Sequence, residues 1–82
     1  NKKDWVMPNE EARDIAAWKL IRIYKGAPAN SERELWAIEA LGGTGSTIAA
    51  EKLVDIYDGA PCGSKKEHAA MRALAEIGRQ PL

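Results

Sequence analysis

Phenylalanine is absent from this 82-residue chain, cysteine occurs once, and the formal net charge is zero. Each shortage excludes something. With Cys62 alone no internal disulfide can form, and a reducing compartment, the cytoplasm, is the simplest expectation. Twelve basic side chains balance twelve acidic ones, so the chain lacks the positive excess that usually draws a domain to nucleic acid or to an anionic membrane. No apolar run approaches a membrane span, and no charged-then-apolar leader is read at the start. Asn1 stands where an initiator Met would, as expected of a processed product or an excised fragment. β-branched residues never alternate with polar ones over a strand's length, which leaves helix as the expected element.

What is present is a repeat. Hydrophobic residues make up 45% of the chain and are mostly Ala, Ile and Leu. The hexapeptide IYKGAP at Ile23 to Pro28 returns as IYDGAP at Ile56 to Pro61. Sliding the chain by 33 residues lays Ile15 to Gly45 on Ile48 to Gly78, with about half the positions identical. Similarity at a fixed period marks a repeat architecture, in which a short unit buries its apolar face against its neighbours. The chain is near the lower size limit for a single domain.

Each unit reads as two helices. Ala49, Leu53, Ile56 and Tyr57 form one apolar stripe at helical spacing. Gly59 follows as a residue able to take a left-handed cap, and Pro61 is expected to stop the helix. Ser64 and Glu67 have the S-x-x-E spacing of a capping box, as do Ser31 and Glu34 one repeat earlier. Ala70, Ala73, Leu74 and Ile77 form the next stripe. In the first unit Pro8 and Asn9 are read as the cap of a helix from Glu10 to about Lys25. The expected organisation is an N-terminal extension over 1–9, repeats over 10–45 and 46–79, and the start of a further repeat over 80–82. The segment DWVM (Asp4 to Met7) is expected to fold over the open end of the stack.

The second helices, LWAIEALGGTG (Leu35 to Gly45) and HAAMRALAEIG (His68 to Gly78), resemble the A-A-x-x-A-L-G-x-I-G signature of HEAT-like repeats. The junction GSTIAAEKLVDIY (Gly45 to Tyr57) is similar to that family's G-D-x-x-A-x-x-x-L-x-x-L linker. The closest likeness is to the short forms of the phycobilisome bilin-lyase group and of bacterial scaffolds, and it covers roughly Glu10 to Arg79. The resemblance implies an all-α fold, an α-α superhelix of two stacked helical hairpins, and a role in binding rather than catalysis. The loops KGAPANS (Lys25 to Ser31) and DGAPCGS (Asp58 to Ser64) are longer and richer in glycine than the family's, and the Val-Arg pair that opens its second helix is missing.

Several equivalent positions carry opposite charge: Arg22 and Asp55, Lys25 and Asp58, Glu32 and Lys65, Glu39 and Arg72. Stacking is expected to bring each pair together on parallel helices about 10 Å apart and so to bias the register.

The candidate partner-binding residues are Trp18, Leu35, Trp36, Ile38, Glu39, His68, Met71 and Arg72. Trp18 aligns with Glu51 and Trp36 with Ala69, so the repeat itself requires neither indole. Each indole, like that of Trp5, either covers the exposed side of the first repeat or anchors a partner, since aromatic side chains dominate interface energetics. Leu35 and Ile38, with their counterparts His68 and Met71, lie on the flank of the second helices. No catalytic, cofactor-binding or metal-ligating residue is assigned. His68, Cys62 and Asp58 lack the paired spacing of a zinc site. GGTGS (Gly42 to Ser46) lacks both the Lys and the preceding strand of a phosphate loop, and reads as the inter-repeat turn.

The function expected is that of a non-catalytic protein-interaction or scaffold module with a protein or peptide partner and no cofactor. One alternative is an accessory subunit of an enzyme such as a bilin lyase, which a spectral change on adding a bilin would reveal. Another is nucleic-acid binding, which a gel shift at low salt would reveal. With both ends of the stack open, a homo-oligomer or a fragment of a longer array is expected.

Overall fold

Two turns of the same shape divide the chain into hairpins. In each, a proline carbonyl accepts from the N–H of the serine three residues on, Ser31 N to Pro28 O at 3.2 Å and Ser64 N to Pro61 O at 3.1 Å. The third residue of each turn has positive φ, 64° at Asn30 and 80° at Gly63. Asn and Gly are the two residue types that tolerate this conformation best, which is why they share one position of the repeat.

The computed structural model describes residues 8–79. Over them the chain is all-α, with α1 at Pro8–Gly26, α2 at Glu32–Gly42, α3 at Thr47–Gly59 and α4 at Lys65–Arg79. The expectation of four helices in two pairs agrees with this. Helix α1 begins at Pro8 rather than after Asn9, in keeping with a proline's fitness for a first helical position. The DWVM segment, Trp5 and Gln80 to Leu82 lie outside the described residues.

Two local readings need correction. Gly59 does not take a left-handed cap: α3 closes on Ala60, extended at φ −83° and ψ 143°, with its N–H on the Tyr57 carbonyl. The following Pro61 forces this, because its ring excludes helical geometry from the residue before it. The capping boxes are also shifted. Ser31 Oγ accepts from Glu34 N at 3.2 Å and Ser64 Oγ from Glu67 N at 3.1 Å, as expected. The carboxylates, however, accept from the residue before each serine, Asn30 N at 3.0 Å and Gly63 N at 2.8 Å. The serine N–H groups are already given to the proline carbonyls.

Helices α1 and α2 form one hairpin and α3 and α4 the other; α3 then stacks on α1 and α4 on α2. The core lies between the hairpins, around Ile38, Leu41 and Leu53, which are fully enclosed. Ser46 ties the layers together at the junction. Its Oγ caps α3 by accepting from Ile48 N at 3.1 Å and donates to Asp14 Oδ1 of α1 at 2.8 Å. The hairpins approach closely where Gly42 of α2 meets Ala73 of α4. A Cβ on Gly42 would lie 2.6 Å from the Ala73 Cα.

Candidate interaction surface

The two second helices, α2 and α4, lie side by side and leave a shallow furrow between them. Small side chains make its floor, because Ala69 and Ala73 of α4 are buried against α2. One part, of 190 Å³, is lined by Leu35, Glu39, Lys65, His68, Ala69 and Arg72. A further 330 Å³ continues along α4 past Ala73, Glu76 and Arg79, with Glu39 and Arg72 shared between the two. The periodicity places these residues together: positions 35 and 39 on α2, and 68 and 72 on α4, share the outward face of their helices.

Of the eight candidate residues, four thus line one groove: Leu35, Glu39, His68 and Arg72. Ile38 does not belong to any surface. It is fully buried, which corrects its placement among the partner-binding residues. Trp36 and Met71 are exposed, on α2 and α4, but neither lines the groove. Trp18 is exposed on α1, in the other layer of helices. Trp18 and Trp36 are more than half exposed, so neither acts as a sealed cover over the first repeat.

The expected charge pairs are also revised. Among the described residues the one ion pair is Lys66 Nζ to Glu34 Oε2 at 3.6 Å; none of the four aligned pairs reaches that distance. The reason is geometric. Equivalent side chains of stacked repeats point the same way, so they are displaced from one another and do not face each other. Contact falls instead between a residue facing forward from the first hairpin and one facing back from the second. Glu34 faces forward, Lys66 faces back, and the same ammonium lies 5.2 Å from the ring centroid of Tyr24. Lys52 approaches that ring at 5.7 Å. Cations near an aromatic ring are attracted by its quadrupole. Lys66 is held above its ordinary value of 10.5, chiefly by its polar interaction with the Tyr24 side chain; partial burial opposes this and the Glu34 carboxylate adds to it.

A second concavity, of 480 Å³, opens on the first hairpin between the C-terminal half of α1 and the start of α2. Lys19, Arg22, Ile23, Gly26, Pro28 and Arg33 line it. No sequence expectation pointed there. Its signal was the alignment itself, since Lys19 and Arg33 are the counterparts of Lys52 and Lys66. Among the described residues no group of His, Cys, Asp or Glu is arranged to hold a metal ion, and the Cys62 thiol is exposed in the second turn. No helix there is long and apolar enough to cross a membrane.

Fold and surface together define an all-α stack of two helical hairpins with an outward groove along its second helices. In comparisons with protein-family models, with curated proteins and with solved structures, the chain finds no match.

Proposed function

We propose that this protein is a non-catalytic interaction module of the HEAT-like repeat kind, holding a segment of a partner protein along the α2/α4 groove. The observation that carries the reading is the convergence of Leu35, Glu39, His68 and Arg72 on that one furrow. A floor of alanines admits a backbone or a small side chain closely, while the charged rims supply register. Lys65, Arg72 and Arg79 outnumber Glu39 and Glu76 along it, so the favoured segment carries carboxylates. Open, shallow grooves of this kind suit an extended segment better than a small molecule, which would need a more enclosed site.

The test is selection of displayed peptides on the immobilised protein. Acidic peptides should be enriched, and the double variant Arg72→Glu, Lys65→Glu should lose them. Both residues are exposed, so the fold is unaffected. Absence of enrichment, or an identical set of peptides selected by the variant, would refute this use of the groove.

A further inference from the structure

The two hairpins present equivalent faces with different neighbours, and the difference shows what each open end is shaped to meet. The first hairpin faces forward with Ile21, Tyr24, Glu34 and Ile38, all packed under the second. Their counterparts are Val54, Tyr57, Glu67 and Met71, the same chemistry in the same places. Yet Met71 is 51% exposed where Ile38 is at 0%, and Val54 is 47% exposed where Ile21 is at 5%. Conversely, the second hairpin faces back with Lys52, Lys66, Ala69 and Ala73. The counterparts on the first are Lys19, Arg33, Trp36 and Ala40, and all four are exposed.

We infer that copies of this chain stack head to tail, the Val54–Tyr57–Met71 face of one seated on the Lys19–Arg33–Trp36 face of the next. The internal joint is the template. There the Tyr24 ring lies near two ammonium groups, Lys52 and Lys66, and Glu34 pairs with the second of them. Between copies, Tyr57 would meet Lys19 and Arg33, and Glu67 would meet Arg33. Lys19 and Arg33 already flank an open cleft of 480 Å³, at the position where repeat symmetry would seat that tyrosine. Complementary charge, matching apolar positions and a cleft that stands open among the described residues make a second copy the occupant.

The joint between copies is looser than the one inside. Ala75 stands where Gly42 makes its close internal contact, and Trp36 stands where Ala69 is buried. Both changes add volume at the crossing, so the incoming helices sit further apart than α2 and α4 do. Association should accordingly be reversible and dependent on concentration. Because the two faces differ, the contact is heterologous and does not close on a dimer. The outward groove is not used, so this inference stands apart from the reading of that groove.

Sedimentation velocity on the full chain over a hundredfold concentration range tests it. The wild type should show a sedimentation coefficient that rises with concentration. Met71→Glu spoils the forward face and Trp36→Glu the backward one, and both sites are exposed, so the circular dichroism melts should match the wild type's. Each variant alone should sediment as a monomer, whereas an equimolar mixture should give dimers and nothing larger, because each supplies the face the other has lost. A wild type that stays monomeric throughout the range overturns the inference. So does a Trp36→Glu variant that still dimerises, which would mean a two-fold contact through the Met71 face alone, and so does a mixture that remains monomeric.

Discussion

Gly42 and Ala73 meet in close backbone contact between the hairpins, with room for a hydrogen but not for a methyl group. A Cβ on Gly42 would lie 2.6 Å from the Ala73 Cα and 2.9 Å from its carbonyl oxygen. These are backbone atoms and cannot swing aside. Gly42→Ala should therefore destabilise the fold by about 1–3 kcal/mol, despite the better helix propensity of alanine. Urea denaturation followed by circular dichroism reads the loss directly. An unchanged midpoint would mean that the hairpins can separate there without cost.

Ser46 carries three duties in one side chain: it is buried, it caps α3, and it bonds to Asp14 of α1. Ser46→Ala should cost about 1–2 kcal/mol. Asp14→Ala removes only the inter-helix bond and should cost less. Measured midpoints in the reverse order would show that the bond to α1 outweighs the cap.

The two hairpin-turn positions with positive φ should respond unequally to substitution. Asn30→Gly relieves the left-handed strain of a side chain at φ 64°, although it also frees the unfolded chain, so the net effect should be within about 0.5 kcal/mol. Gly63→Ala introduces that strain at φ 80° and should destabilise by about 1 kcal/mol. Comparing the two midpoints separates the turn's requirement from any general sensitivity of the loops.

Lys66 gives the fold a dependence on alkaline pH. Its folded-state value is raised, so the native chain keeps this proton more tightly than the unfolded chain does. The resulting stabilisation is fully present below about pH 10.5, the ordinary lysine value, and is lost as pH rises through the folded value. As pH rises above about 10.5 the melting temperature of Lys66→Met should fall less steeply than that of the wild type. The side chain is a quarter exposed, so at neutral pH the variant should lose only about 1 kcal/mol. Parallel pH profiles would show that the ammonium is not what the Glu34 carboxylate and Tyr24 require.

Lys25 and Asp58, the changed residue of the repeated hexapeptide, are both exposed and form no ion pair with each other. Reversing their charges singly and together should give additive stability changes, within about 0.5 kcal/mol. A larger coupling would place them closer than they stand.

The hexapeptide shows how much of this fold lies open in the sequence. Pro61 ends α3 wherever the rest of the chain goes, because its ring constrains Ala60 locally. Ser31 and Ser64 cap their helices for the same local reason. The apolar spacing of Ala49, Leu53 and Ile56 marks a buried stripe whatever it is buried against. The groove was half legible. Leu35, Glu39, His68 and Arg72 share a helix face by periodicity alone, but Ile38, one position from the groove face, is enclosed by the other hairpin.

Local chemistry thus determined the helices, their stops and their caps, since each depends on neighbours within a turn or two of chain, and comparison of the chain with itself determined the 33-residue period. Tertiary structure alone decided which residues meet across the stack. Lys66, the counterpart of Arg33, reaches Glu34 and Tyr24, Asp14 reaches Ser46, and Gly42 takes the contact with Ala73. A repeat announces which positions are equivalent. Which of them face each other depends on the direction in which one hairpin lies upon the next, and that is a property of packing.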